Sequence, residues 1–103
     1  MMPDVKKLNA FRLVRIARDI KVKDLASELM VTPAYIFAIE KGTKHPSKRL
    51  LRDYCSALGI SEAAMQKLIH DVPDAGTFEN ALLFVLQVLC SEDSVFPNQD
   101  MVG

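Results

Sequence analysis

Leu25-Ala26-Ser27-Glu28-Leu29-Met30-Val31-Thr32-Pro33-Ala34-Tyr35-Ile36-Phe37-Ala38-Ile39-Glu40-Lys41-Gly42 is the stretch that decides the fold. Leu25, Ala26 and Leu29 share one face of a short helix over residues 22–30. Thr32 is a good N-cap, and Pro33 follows at the first helical position, where its missing N–H costs nothing. A second helix therefore starts after Thr32, carries Ile36 and Ile39 inward and stops at Gly42. Ala26 is small where the two helices must cross, and Leu25, Leu29, Ile36 and Ile39 form the wedge that sets a steep angle between them.

Outward from this pair the spacing stays helical. Upstream, Asp4 is an expected cap for a helix over residues 5–18, with Leu8, Phe11 and Val14 inward and Arg12, Arg15 and Arg18 on an adjacent stripe. Downstream, residues 43–46 form a loop. Ser47 caps a helix over 48–58, with Leu50, Leu51, Tyr54, Cys55 and Leu58 inward, and Gly59 closes it. Ser61 caps a fifth helix over 62–70 that presents Met65, Leu68 and Ile69. Residues 71–77, with Pro73 and Gly76, read as a connector to a sixth helix over 78–90. The polar tail, residues 91–103, is expected to be loosely ordered, with Phe96 and Met101 as isolated apolar residues. No stretch alternates apolar and polar as a strand does, so the fold class is all-α.

The run Leu25-Ala26, Val31-Thr32, Ile36, Ile39-Glu40-Lys41-Gly42, Pro46-Ser47 and Leu58-Gly59-Ile60-Ser61 closely resembles the lambda-repressor and Cro type of helix-turn-helix, the Xre family. The resemblance covers about half of the chain and puts six spaced features in one register. It implies a five-helix DNA-binding domain over residues 1–70, followed over 71–103 by the connector, an apolar C-terminal helix and the tail. It also implies that residues 32–40 are the recognition helix, which enters the major groove. Arg15 and Glu40 match a structural pair tying the first helix to the third. Base-facing positions transfer to Thr32, Pro33, Ala34, Phe37 and Ala38. Contacts to the DNA backbone are expected from Lys21, Lys23, Lys41, Lys44, Ser47 and Lys48, and from amides at helix N-termini.

The chain departs from the family pattern in three ways. Its base-facing positions are mostly apolar where the family is commonly polar. Apolar side chains can read the thymine methyl group, or Phe37 and Ala34 can instead form a protein-binding surface. Val22 stands where the family often has a phosphate-touching glutamine, and Met30 replaces the usual turn glycine.

Charge supports a divided chain. Net charge is zero over 103 residues, yet residues 1–60 hold twelve basic and six acidic side chains, and 61–103 hold one basic and seven acidic. A basic half beside an acidic half fits a nucleic-acid-binding head with a different C-terminal task. Cys55 and Cys90 lie among apolar neighbours and read as small buried hydrophobes, reduced in the cytosol. No metal-ligand spacing, phosphate loop or catalytic constellation occurs, so neither an enzyme nor a metal or cofactor is expected. His45 reads as a surface histidine, and His70 as a favourable partner for a helix C-terminus. The longest apolar run, Ala81 to Leu86, is six residues, against about 20 for a bilayer span, so a cytoplasmic protein is expected.

The sixth helix is apolar on nearly every face, and one stripe should remain uncovered by a small head. Leu82, Phe84, Val85, Leu86, Val88 and Leu89 are therefore expected at a homodimer interface, with Phe96 reaching across, although the same helix can fold back to complete the core. The resulting reading is a sequence-specific regulator of transcription, a dimeric repressor on a palindromic double-stranded DNA operator. The alternative is a protein-interaction adaptor on the same scaffold, including an antitoxin-like partner-binding protein.

Overall fold

The computed structural model describes residues 9–93, with side chains as far as residue 91. Among the described residues it holds six α-helices and no strand. These are α1 (Ala10–Ala17), α2 (Val22–Leu29), α3 (Pro33–Lys41), α4 (Lys48–Leu58), α5 (Glu62–Asp71) and α6 (Phe78–Asp93), with a 3-10 turn at Val72–Asp74 after α5. The fold is all-α, as the periodicity requires.

Local chemistry sets the starts of α1, α3, α4 and α5. Asn9 Oδ1 accepts from Arg12 N at 3.2 Å, Thr32 Oγ1 from Tyr35 N at 3.1 Å, Ser47 Oγ from Leu50 N at 3.2 Å, and Ser61 Oγ from Ala64 N at 3.1 Å. Each such cap is worth about 1 kcal/mol. Within the described residues the first helix begins at Ala10, where extended Asn9 supplies the cap. Asp4, Val5, Leu8 and Phe96 lie outside the described residues. Further along, α5 runs one residue past its expected end, and α6 extends to Asp93 rather than Cys90.

One core joins all six helices. Phe11, Leu13 and Val14 of α1 meet Leu25 and Ala26, Ile36 and Ile39, Tyr54, Cys55 and Leu58, and Met65 and Leu68. Phe11 and Tyr54 pack edge to face, 4.9 Å between ring centres. The expected connector is not a bare loop, since Val72 at the start of its 3-10 turn is fully buried. Ala81, Val85 and Leu89, spaced four apart, turn one stripe of α6 onto α1 and α5.

Candidate nucleic-acid interface

The α2–α3 turn is made by a side-chain-bearing residue in an unusual backbone conformation. Met30 ends α2 in the left-handed region at φ 60° and is 89 % exposed. Met30 N donates to Ser27 O, and Val31 N to Ala26 O at 3.0 Å, which satisfies the last carbonyls of α2. Extended Thr32 then caps α3, and Pro33 opens it.

At its other end α3 is clamped to α1. Arg15 Nε donates to Glu40 Oε2 at 2.6 Å, and its Nη2 donates to Glu40 Oε1 at 3.1 Å. Arg15 Nη1 reaches Ile20 O at 2.9 Å, so one guanidinium also secures the α1–α2 link. Asn9 Nδ2 donates to Ile39 O at 3.1 Å, beside the ion pair. Sequence reasoning missed Asn9, although an Asn before an apolar periodic run is a cap signal. It also missed Arg18, whose Nε and Nη2 donate to Leu58 O and Gly59 O at the C-terminus of α4.

The side of α3 away from this clamp is open. Pro33, Ala34, Phe37 and Lys41 are exposed, Ala38 is half-buried, and Ile36, Ile39 and Glu40 are buried. Thr32 is exposed at the tip. Lys21, Lys23, Lys44, Ser47 and Lys48 are likewise exposed. Thr43 N and Lys44 N both donate to Ala38 O, at 3.0 and 3.2 Å, folding the loop that carries Lys44 back on the end of α3. Lys23 and Ser27 occupy one flank of α2. On the other, Glu28 lines a shallow cleft of about 270 Å³ with Leu29, Met30, Asp53, Ser56 and Ala57.

A short helix, a tight turn and a second helix with its outer face bare is the geometry of a groove-reading pair. The family described as helix-turn-helix matches residues 11–64. The chain belongs to the lambda-repressor-type helix-turn-helix family. Its members are DNA-binding regulators, and this helix-turn-helix protein carries their DNA-binding unit. No curated protein and no solved structure matches the chain.

Outside that unit, α6 corrects part of the expected interface. Val85 and Leu89 are buried against the protein's own core, because they share a stripe with Ala81. Leu82, Phe84 and Val88 are half-buried, and Phe84 lies beneath Lys67 Nζ at 5.7 Å. Leu86 is exposed, and so is Leu83, at 55 %, a residue outside the expected interface set. Alternation of Leu, Phe and Val around the whole helix left no periodic signal to single it out.

Burial pushes the Cys55 thiol up to about 11, with Glu62 adding to the effect, whereas Cys90 is exposed on the outer side of α6 and not buried as its apolar neighbours suggested. Burial, and then the Glu40 carboxylate, drive the Tyr54 phenol far above its usual range, although Arg15 opposes them. The Tyr54 hydroxyl is buried without a hydrogen-bond partner. The hydrogen bond that His70 Nδ1 donates to Asp71 Oδ1 raises His70, and the same bond lowers Asp71. Among the described residues no three His, Cys, Asp or Glu side chains gather to hold a metal, and no helix is long and apolar enough to cross a membrane.

Proposed function

We propose that this helix-turn-helix protein is a cytoplasmic repressor that binds a two-fold symmetric duplex site as a homodimer, with α3 in the major groove. The observation that carries the reading is the uncovered outer face of α3, held rigidly from behind by Arg15, Glu40 and Asn9. Thr32, Pro33, Ala34, Phe37 and Ala38 face base edges. Lys21, Lys23, Lys41, Lys44, Ser47 and Lys48 meet phosphates. Ser47 does so from an exposed helix N-terminus, where backbone amides favour anions.

Dimerisation runs through the outer face of α6. Leu83, Leu86 and Cys90 are exposed there at spacings of three and four, beside half-buried Leu82. That seam has the spacing two helices need to pack on one another. Two heads joined in this way read half-sites about 34 Å apart.

Binding to a random duplex library across a salt series tests the proposal. Log affinity should fall linearly with log salt, by about 0.9 per neutralised phosphate, and Lys44→Ala should lower that slope by about one contact. Leu83→Glu with Leu86→Glu should yield monomers by sedimentation, with weaker selection of palindromes. The adaptor reading has one observation in its favour, the 48 % exposure of Phe37 on an otherwise apolar stripe. It gains if no duplex binds at low salt.

A further inference from the structure

The outer face of α3 is chemically unusual for a surface that reads base pairs. Between its first residue and Ala38 it presents Pro33, Ala34 and Phe37 to solvent, and none of these side chains carries a nitrogen or an oxygen. Tyr35 packs partly against the core. The Thr32 hydroxyl oxygen already accepts from Tyr35 N. Lys41 lies one turn beyond Phe37 and is a point charge without the fork that reads a guanine edge. The bidentate Arg, Asn or Gln that would identify guanine or adenine is therefore missing from this face.

One apolar feature of the major groove matches such a face, the methyl group on C5 of a pyrimidine. We infer that α3 selects its site through C5-methyl pyrimidines, with Phe37 as the specificity-determining side chain. The ring is half in water in the free protein and would lose that water against a methyl. Pro33, Ala34 and Ala38 are small and let the helix approach the base edges closely around it. Exposed Lys41 and Lys44 supply the charge that seats the helix without choosing a sequence. The inference rests on the DNA-binding reading above and names what that surface recognises. Thymine and 5-methylcytosine offer the same group.

The test uses the full chain and the duplex it selects from a random library. Replacing each thymine by deoxyuridine removes only the methyl. At a contacted position affinity should fall about fourfold, the value of one buried methyl-sized group. Replacing cytosine by 5-methylcytosine at contacted steps should raise affinity by a similar factor if that base is also read. Phe37→Ala should abolish the difference between thymine and deoxyuridine duplexes while leaving the salt slope and the thermal melt unchanged, since Phe37 lies outside the core. Equal binding of both duplexes, with selection and salt slope intact, overturns the methyl inference and leaves the regulator standing. A thymine preference that survives Phe37→Ala overturns the role of Phe37. Failure to bind any duplex removes the regulator reading, and this inference with it.

Discussion

Arg15 and Glu40, 25 residues apart, are joined by two hydrogen bonds of 2.6 and 3.1 Å, with side chains only 14 % and 4 % exposed. The pair fixes the angle of α3 against α1. Removing one partner leaves the other charge stranded in a site that water barely reaches. Glu40→Ala should therefore destabilise the protein by about 3–5 kcal/mol, read from urea unfolding. A loss below about 1 kcal/mol would mean that the pair is solvated and its geometry incidental.

Tyr54→Phe should raise stability by about 1 kcal/mol, because the mutation deletes a buried hydroxyl that has no partner and keeps the ring against Phe11. In most proteins the same change is destabilising. A drop of that size on urea unfolding would show that the hydroxyl is bonded after all.

Met30→Gly should stabilise by roughly 0.5–1 kcal/mol. A left-handed side-chain-bearing residue costs about 1–2 kcal/mol, and the freer unfolded glycine returns about 0.4–1 kcal/mol of the gain. At 89 % exposure Met30 has almost no packing to lose. Thermal melts of the two proteins decide the sign, and a lower Tm for the glycine variant would contradict it.

Alkylation should separate the two thiols. In the folded monomer that Leu83→Glu with Leu86→Glu should yield, exposed Cys90 should react at pH 8, whereas Cys55, buried and raised to about 11, should react only in denaturant. Mass spectrometry of the native reaction showing Cys55 modified as fast as Cys90 would mean that the core opens readily.

His70 should titrate above 6.5, and Asp71→Asn should bring it back down in an NMR titration. A raised histidine adds stability that is complete below 6.5 and fades as pH climbs through its folded value. Lowered Asp71 adds stability present above 3.8 and lost as pH falls through its own folded value. The pair therefore supports the end of α5 most strongly in mildly acidic solution. Lys67 and Asp74 modulate it in opposite directions.

Much of the DNA-binding unit was legible in the order of its residues. Thr32, Ser47 and Ser61 cap, Gly42 and Gly59 stop, and the apolar spacing between them allows only helices. Capping is local chemistry, so local sequence reports it. The cap at Asn9 was not legible, because its role depends on tertiary contact with Ile39 O. The division of α6 into inner and outer residues was equally hidden. When every face is apolar, periodicity is silent, and only the position of α1 and α5 turns Val85 inward and leaves Leu83 outside. The surface of α3 was legible in kind from Pro33, Ala34 and Phe37, yet its openness depends on the clamp behind it.

That clamp also governs how a pair of these molecules would measure distance. From Phe37 through Glu40 and Arg15 to α1, and from α1 through Ala81 and Val85 to α6, the links are packed or bonded contacts. Two copies joined at α6 would act as a caliper with fixed jaws. Inserting one base pair between half-sites would then carry the second jaw about 34° around the helix and 3.4 Å along it, and the linkage has no slack with which to follow.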